Sequence, residues 1–523
     1  MLWPCEQAQH AIFWVSLLGL AHNVASAPPP PHIVVVVIDD LGSNDLGLQG
    51  SGIHTPTIDH LVLGNRTDAG GGVGTLLSNY YVLPYCSPTR AALLTGRYPL
   101  HTGCHQIIFS ENSFGLPLDE DTLPSMLRDS GYATHAVGKW HLGHSQWEQT
   151  PTFRGFESFY GIYMGSGDHF QHRNGGAYDM HHDARPRCGA GCSKFVDERG
   201  NYSTTVFTRE SLRVIHEHAA NQNEHPLFLY LAHQAVHHPD QVPRHYRDIY
   251  NNRTAWGEKR KIYAGMLTAV DDSVREVVQA LQATGLWENT VLMITTDNGG
   301  PTDICAVQGS SNRHRGGKCT VWEGGTRGDA ILAGPAVPQR KDKHYDNLFH
   351  VVDWLPTLAA LAGIQPNGKK SLDGVNHVGA LFDPDQTSPR QELFIGYAQF
   401  EDAPWYGPAI RWNDWKLLQG VSGGAEAGSL HPPGHPDTPS PPGNSSDAYQ
   451  LFHLLTDPYE TTNVLDQHPF MARVMQDKLR QYGRTYVPPL EDDPQCTPFR
   501  GHQQNPEYGT VLQPWCSRVV VYE

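Results

Sequence analysis

The sequence is poor in positive charge and in long apolar runs. Its 523 residues contain 38 Lys and Arg against 54 Asp and Glu, which gives a formal net charge of −16 with histidine neutral. This balance argues against a nucleic-acid-binding protein, although it does not exclude a local cationic pocket. Outside the N-terminal region, no segment approaches the roughly 18 apolar residues that a membrane-spanning helix needs. We therefore expect a soluble mature protein without an integral membrane segment.

The N-terminal segment, residues 1–27, is predicted to be a secretory signal peptide. An apolar run, residues 11–21, ends near Ala25-Ser26-Ala27, the small-x-small pattern of a signal-peptidase site. No Lys or Arg precedes the run, so a short membrane anchor is the alternative. Four sequons are candidate glycosylation sites that fit passage through the secretory pathway: Asn65, Asn201, Asn252 and Asn444. The predicted destination is a lysosome or the extracellular space.

Cysteine is the next residue type to account for. Of nine cysteines, Cys5 lies in the predicted signal peptide, which leaves eight. Local disulfides can be drawn, although sequence alone cannot determine the connectivity: Cys188 with Cys192, Cys305 with Cys319, and Cys496 with Cys516. If Cys86 is not a disulfide partner, one of the other seven is unpaired, and Cys104 is the candidate.

Alternating strand and helix patterns predict an α/β sandwich in which a large, mostly parallel sheet lies between helices. Residues 33–38, "IVVVVI", are typical of a central parallel strand buried on both faces. Further strands are expected at residues 134–140, 226–232, 290–296 and 329–333, and helical patterns cover residues 262–281 and 352–362. No internal repeat is visible.

The C-terminal part has a different character. Residues 415–420 and 449–454 have the pattern of antiparallel strands, and the Gly/Pro/Ser-rich stretch between them, residues 422–446, cannot build a core. We predict a catalytic domain over residues 28–400 and a smaller β-rich subdomain over residues 401–523.

Acidic groups directly follow two of the predicted buried strands. Asp39 and Asp40 end "VIDD", and Asp297 and Asn298 lie in "TTDNGG". The carboxyl ends of strands form the ligand crevice of open α/β sheets. Either pair alone is better explained as a strand-end cap, but three carboxylates and one amide together are hard oxygen ligands suited to Ca²⁺ or Mg²⁺. The sequence therefore predicts a metal site.

Cationic groups are expected on the same rim of the sheet. Lys139 and His141 occupy alternate positions of a predicted strand end, so their side chains should point the same way. His237 and His238 lie in "AVHHP", and Lys318 lies in a Gly-rich turn. Each alone is typical of a solvated lysine or a hydrogen-bonded histidine. Together they indicate a rim that holds a tetrahedral oxyanion against a cation.

The segment "CSPTR", residues 86–90, followed by "LTGR", residues 94–97, resembles the signature of the sulfatase family. Other family-like segments follow in family order: "VIDDLG", "TPTID", "GKWHLG", "RGF", "TTDNGG", "WEGGTRG" and "DWLPTL". The resemblance covers nearly all of the chain after the predicted signal peptide, and it is strongest to the arylsulfatase B, I and J group. It implies an alkaline-phosphatase-like fold and a sulfuric ester hydrolase.

The resemblance also implies a chemical role for Cys86. In the family this cysteine is oxidised to formylglycine (3-oxoalanine) by the formylglycine-generating enzyme of the secretory pathway. The hydrated aldehyde has two hydroxyls on one carbon, so the hydroxyl that attacks sulfur is expelled by the other and inorganic sulfate is released. Pro88 is expected in the first turn of a helix whose backbone N–H groups face a bound anion.

The family's other functional residues match positions in this sequence. The implied ligands of one Ca²⁺ per chain are Asp39, Asp40, the modified Cys86, Asp297 and Asn298. The implied catalytic and ester-binding residues are Arg90 and Lys139, which stabilise the charged diol, His141 as the base, and His237 and Lys318, which bind the ester, one of them protonating the departing oxygen. Ser166, in "MGSGDHF", is a further candidate for substrate contact.

The implied substrates are aryl sulfates and sulfated sugars of glycosaminoglycans similar to N-acetylgalactosamine 4-sulfate. The sequence departs from the family at residues 62–75, a Gly-rich stretch, and at residues 109–114, "FSENSF", where related chains have a cysteine pair. Two alternatives stay open: a phosphodiesterase or phosphonate hydrolase of the same superfamily, and an inactive secreted glycan-binding homologue. Thirty histidines suggest an acidic pH optimum.

Overall fold

The structure is a computed structural model that describes residues 29–64, 72–221, 225–301, 309–337, 340, 343–396, 407–420, 449–496 and 499–516. The predicted signal peptide and the loop 422–446 lie outside these ranges, as do Asn65, Asn444 and Cys305. None of the helices in the described ranges combines the length and the apolar character that crossing a membrane requires.

The described chain contains strands and helices in alternation. The strands are β1 (His32–Ile38), β2 (Gly74–Leu77), β3 (Tyr80–Tyr81), β4 (Ala133–Lys139), β5 (Ser158–Ile162), β6 (Arg173–Asn174), β7 (Ala177–Tyr178), β8 (His181–Asp183), β9 (Lys194–Phe195), β10 (Leu227–Ala232), β11 (Thr290–Thr296), β12 (Ala330–Ala333), β13 (His344–Tyr345), β14 (Phe349–His350), β15 (Glu392–Ile395), β16 (Ala409–Trp412), β17 (Trp415–Gln419), β18 (Tyr449–His453), β19 (His502–Asn505) and β20 (Gly509–Leu512). The helices are α1 (Pro56–Leu63), α2 (Cys86–Thr95), α3 (Pro99–Thr102), α4 (Leu123–Asp129), α5 (Ser203–Ala220), α6 (Arg244–Asp248), α7 (Glu258–Ala283), α8 (Glu323–Thr326), α9 (Trp354–Leu361), α10 (Val378–Phe382) and α11 (Pro469–Gly483).

One ten-stranded mixed sheet organises the fold, in the order β13-β2-β12-β11-β1-β10-β4-β5-β8-β9. Its five central strands, β11, β1, β10, β4 and β5, are parallel, and Val35 of β1 lies opposite Tyr230 and Met293. Strands β12 and β8 run antiparallel to their inner neighbours. Since parallel strands end at the same edge, the residues after β1, β4, β10 and β11 are neighbours in space.

The two faces of the sheet are covered by different helices. Alternate β1 side chains enter separate cores: Val35 and Val37 pack with residues of α2, α4 and α9, whereas Val34 and Val36 pack with residues of α1, α5 and α7. This explains the unbroken β-branched run, because a strand buried on both faces needs apolar side chains at every position. The α/β sandwich predicted from the sequence is therefore confirmed.

A smaller antiparallel sheet, β15-β16-β17-β18, packs with α11 onto the first of these cores. Lys416 of β17 also ties it to α8, because its buried Nζ lies 2.9 Å from Glu323 Oε1 and 2.8 Å from Glu460 Oε1. Strand β15 lies before the predicted boundary at residue 400, and the final hairpin pairs with β7 through Val511. The division into residues 28–400 and 401–523 thus does not follow the sheets, and it stays a prediction.

The predicted element positions agree closely with the structure, although both predicted helices are shifted at their ends. The segment predicted at residues 262–281 belongs to the longer α7, and the one predicted at 352–362 is α9. Disulfides join Cys188 with Cys192 and Cys496 with Cys516, and Cys319 is also disulfide-bonded. Cys86 and Cys104 are free and buried. The prediction for Cys104 is confirmed.

A buried acid beside β12 gives the fold a pH dependence. Gln49 Nε2 donates to Asp329 Oδ1 at 2.6 Å, while Asp329 Oδ2 is buried without a hydrogen-bond partner among the described residues. Burial raises the pKa of Asp329 from 3.8 to about 6. Because the folded state holds this proton more tightly than the unfolded chain, the contribution of Asp329 to stability falls as the pH rises from about 4 to about 6.

We expect Asp329→Asn to be more stable than the wild type at pH 7.5, by about 1 to 3 kcal/mol, because the amide reproduces the neutral acid. The difference should narrow as the pH is lowered towards 5. Urea unfolding of both proteins at several pH values measures this difference in the free energy of unfolding. A variant that is equally destabilised at every pH would contradict this account.

Candidate active site

The strand ends bring the predicted acids into one cluster. Asp39 and Asp40 follow β1, Asp297 and Asn298 follow β11, and none of the four is more than 1% exposed. Asn298 Nδ2 donates to Asp40 Oδ1 at 2.6 Å, and the backbone N–H of Asp40 donates to Asp297 Oδ1 at 3.2 Å. The two pairs therefore form a single buried group. Independent strand-end caps would not contact each other in this way.

Each of the three carboxylates has a cationic partner. The pairs are Arg90 Nη2 with Asp297 Oδ2 at 2.9 Å, Lys318 Nζ with Asp40 Oδ1 at 2.7 Å, and Lys139 Nζ in contact with Asp39 Oδ2. Arg90 Nη1 also donates to the backbone carbonyl of Lys139 at 3.2 Å. Arg90 and Lys139, expected from the resemblance to stabilise the diol, thus contact the acids directly and hold them in place.

Three oxygens of the cluster lack a partner. Asp39 Oδ1, Asp40 Oδ2 and Asn298 Oδ1 are buried and have no hydrogen-bond partner in the described part of the chain. Buried acceptors without partners are costly, and native structures rarely leave several together. Hard oxygen donors of this kind are the ligands that Ca²⁺ and Mg²⁺ prefer. The residues fit a divalent cation.

The charge of the cluster supports the same conclusion. Three carboxylates face three cationic side chains, so the group is neutral when all six are ionised. Burial and the neighbouring carboxylate of Asp297 raise the pKa of Asp39 above its ordinary value. A divalent cation would favour ionised Asp39 and leave the pocket with a net charge of about +2, which is complementary to an anionic ester.

Cys86 begins helix α2 at the edge of this cluster. Its Sγ and carboxylate oxygens of Asp39 and Asp297 all lie within 4.8 Å of one another. The preceding residue, Tyr85, is extended, and Pro88 lies in the first turn of the helix, as predicted. Burial raises the pKa of the Cys86 thiol. This shift disfavours the thiolate, which is the nucleophilic form of cysteine.

His141 lies beyond the end of β4 with a φ of 60°, so the expected strand alternation with Lys139 does not hold. Its Nε2 is 3.0 Å from the backbone carbonyl of Ile108, which can only accept, so Nε2 carries the hydrogen. Nδ1 is buried without a hydrogen-bond partner among the described residues. Burial and the nearby charge of Lys139 lower the pKa of His141. The result is a neutral imidazole with an available lone pair.

The backbone carbonyl of Ile108 and the missing side chain of Gly165 position His141, and neither was predicted from the sequence. The backbone N–H of Ile108 donates to Ser87 Oγ at 3.2 Å, which fixes the carbonyl that His141 uses. Gly165 lies against the imidazole, and a Cβ at this position would overlap the ring. Neither a backbone carbonyl nor a missing side chain leaves a chemical motif in a sequence, although Ser87 itself lies in the recognised signature.

Of the remaining predicted residues, His237 lies near the acids, whereas the described contacts of Ser166 are elsewhere. His237 Nε2 is 3.7 Å from Asp40 Oδ2, and its Nδ1 is 2.7 Å from the backbone carbonyl of His238. The exposed His238 ring stacks on His237 at 4.2 Å. Ser166 is half-buried, and its carbonyl accepts from Asn174 Nδ2 at 2.7 Å. Ser166 is thus next to Gly165, but its described contacts are with Asn174.

Known proteins similar to this chain show which family it belongs to. Residues 31–364 match the model of the sulfatase family. The chain belongs to the sulfatase family. Its curated relatives include arylsulfatase J of Mus musculus, 34% identical over 91% of this chain and 79% of the relative. N-acetylgalactosamine-6-sulfatase of Sus scrofa is 33% identical over 71% and 69%, and arylsulfatase A of Homo sapiens is 31% identical over 82% of each chain.

Solved structures agree with this sulfatase fold. The crystal structure of Ps i-CgsB in complex with k-i-k-neocarrahexaose has a TM-score of 0.73 and 27% identity, and the match covers 88% of this chain and 95% of that one. The phosphonate monoester hydrolase of Agrobacterium radiobacter, 17% identical with a TM-score of 0.57, shares the fold alone. The alkaline-phosphatase-like fold expected from the sequence is confirmed, and the protein is an enzyme that hydrolyses sulfate esters.

We expect Ca²⁺ or Mg²⁺ to raise the thermal unfolding temperature of chelator-treated sulfatase, because a ligand that binds only the folded state stabilises it by about 2.7 kcal/mol at a hundred times its Kd. Asp39→Asn should lose most of this response. Asp271→Asn is the matched control, since Asp271 is a buried acid of α7 that accepts from the backbone N–H of Ile58 at 2.8 Å and is not part of the acid cluster. Equal responses in the two variants would contradict the proposed ligand set.

We expect Gly165→Ala to lower kcat for p-nitrophenyl sulfate by roughly 10²-fold, because the new methyl group displaces the His141 ring and small misplacements of catalytic groups are costly. Gly167→Ala is the control. A Cβ there comes no closer than 3.3 Å to Arg173, so activity should be retained. Similar kcat values in both variants would show that the contact with Gly165 does not position His141.

Proposed function

We propose that this sulfatase releases inorganic sulfate from sulfated sugars of glycosaminoglycans, similar to N-acetylgalactosamine 4-sulfate, and from aryl sulfates. It would use formylglycine made from Cys86 and one bound Ca²⁺. The observation that carries the proposal is the position of Cys86. A buried, free cysteine begins α2 with its Sγ close to the carboxylates of Asp39 and Asp297, in a cluster where oxygens of Asp39, Asp40 and Asn298 have no hydrogen-bond partner among the described residues.

The environment of Cys86 favours modification over direct use of the thiol. Burial raises the pKa of the Cys86 thiol, whereas the charges of Lys139 and Lys318 favour an anion at this position. Formylglycine in its hydrated form supplies a hydroxyl that attacks sulfur and a second hydroxyl that expels sulfate. The partner in maturation would be the formylglycine-generating enzyme of the secretory pathway.

The metal would be held by the oxygens of Asp39, Asp40, Asp297 and Asn298 together with the modified Cys86. These residues would hold a Ca²⁺ whose positive charge would lower the pKa of a hydroxyl at the modified Cys86 and attract the sulfate group. Arg90 orients Asp297, since its Nε and Nη2 both donate to Oδ2, at 3.0 and 2.9 Å.

Three side chains would act on the substrate. Lys318 and His237 lie on the Asp40 side of the cluster, where they bind the anionic ester, and one of them protonates the departing oxygen. His141 accepts a proton at Nδ1 when sulfate is eliminated, because Nε2 is occupied by Ile108. Ser166 remains a candidate substrate contact at the rim.

The substrate class rests on the relatives. One is an N-acetylgalactosamine-6-sulfatase, and one similar structure holds a neocarrahexaose. A secretory route to a lysosome or the extracellular space is part of the proposal. Asn201 and Asn252 are exposed, as glycosylation requires, and the disulfides Cys188–Cys192 and Cys496–Cys516 are typical of secreted proteins.

The two alternatives have less support. A phosphonate hydrolase shares the fold at only 17% identity. An inactive glycan-binding homologue would have no need to bury three carboxylates with matched cations around Cys86.

The test uses protein from a host with a competent secretory pathway. We expect the proteolytic peptide that contains residue 86 to have an aldehyde oxygen in place of sulfur. The wild type should turn over p-nitrophenyl sulfate in strong preference to the matched phosphate ester. Cys86→Ala should lower sulfate turnover by roughly 10³-fold or more, because it removes the nucleophile.

Cys104→Ala is the matched control, because Cys104 is also free and buried but is not part of the acid cluster. It should retain sulfate turnover. Full activity of Cys86→Ala, or a preference of the wild type for the phosphate ester, would overturn the proposed function.

A further inference from the structure

One turn, residues 108–112, lies directly against the catalytic groups. Ile108 is buried, its N–H bonds to Ser87 beside the nucleophile position, and its carbonyl bonds to His141. The chain therefore leaves the active site at Phe109, the residue that follows.

Hydrogen bonds at both ends hold this turn. The backbone N–H of Phe109 donates to Asn112 Oδ1 at 2.8 Å, and the Asn112 N–H donates to the Phe109 carbonyl at 3.2 Å. Asn112 Nδ2 and Ser113 Oγ both donate to the Asp492 carboxylate, at 3.1 Å each. The N–H of Asp493 donates to Ser113 Oγ at 2.6 Å. The turn is thus held from the active site on one side and from the C-terminal segment on the other.

This fixed turn presents an apolar ring to solvent. The Phe109 side chain is 55% exposed, although its neighbour Ile108 is buried. Single exposed apolar residues are common and need no explanation by themselves. Phe109 differs because its backbone is fixed in place and is one residue from the contact to His141. The sugar of a sulfate ester would have to lie outside the buried acid cluster, and Phe109 is an exposed aromatic residue one position from the contact to His141.

We propose that Phe109 is the platform on which a sugar ring of the sulfated substrate stacks. The proposal rests on the proposed function and identifies a specificity-determining residue for it. Sugar rings have apolar C–H faces that pack on aromatic rings, while their hydroxyls stay hydrated. A rigidly held aromatic ring binds such a face with little loss of conformational entropy. Phe109 would thereby select saccharide esters over free sulfate.

The experiment compares Phe109→Ala and Phe109→Trp with the wild type, using a disaccharide that ends in N-acetylgalactosamine 4-sulfate. Phe109→Ala should raise KM about tenfold through the loss of stacking, with kcat changed by less than about twofold. Phe109→Trp should restore the wild-type KM. Phe470→Ala is the matched control, because Phe470 lies on α11 and is 76% exposed. It should leave both constants unchanged.

Two kinetic results would overturn the inference. An unchanged KM in Phe109→Ala would exclude stacking. A lower kcat at constant KM would show that Phe109 acts through Ile108 and His141 instead. If the wild type hydrolyses no sulfate ester, the proposed function is contradicted. Calorimetric binding of the same disaccharide then tests the inference about Phe109 separately. Binding about tenfold weaker in Phe109→Ala supports the platform, and equal binding, or none to either protein, overturns it.

Discussion

Three carboxylates buried at one edge of a parallel sheet are the constraint on which the rest of the structure depends. Asp39, Asp40 and Asp297 cannot all stay ionised in a low-dielectric interior without nearby positive charge. Lys139, Lys318 and Arg90 supply that charge from three different parts of the chain. The cluster thereby joins segments more than 200 residues apart, and a bound cation would complete it.

The surrounding fold holds each of these groups in place. Strand β1 lies at the centre of the large sheet, so the acids that follow it are fixed by two parallel neighbours, β10 and β11. Lys318 lies just before α8, and α8 is attached to the small C-terminal sheet through Glu323 and Lys416. The C-terminal part of the chain therefore contributes to the geometry of a site to which it gives no proposed catalytic side chain.

The residues that bear chemistry could be found from the sequence because they occur in short local patterns. Asp39 and Asp40 follow an apolar strand, Cys86 lies in a compact signature, and Lys318 lies in a Gly-rich turn. The contacts between them could not be found in this way. The resemblance implied that Arg90 and Lys139 act on the diol, and only the structure shows that Arg90 contacts Asp297 and that Lys139 contacts Asp39. Likewise, His141 lies outside β4 and takes its orientation from Ile108 and Gly165.

The sequence by itself determined the α/β architecture, the central strands, the acid pairs and the resemblance to sulfatases. These follow from local chemistry, because periodicity, β-branched runs and short motifs are read within a few residues. The tertiary structure decided which cation pairs with which acid, which nitrogen of His141 is available, and that burial raises the pKa of the Cys86 thiol. These properties depend on burial and on contacts between segments distant in the chain, and long-range packing sets both.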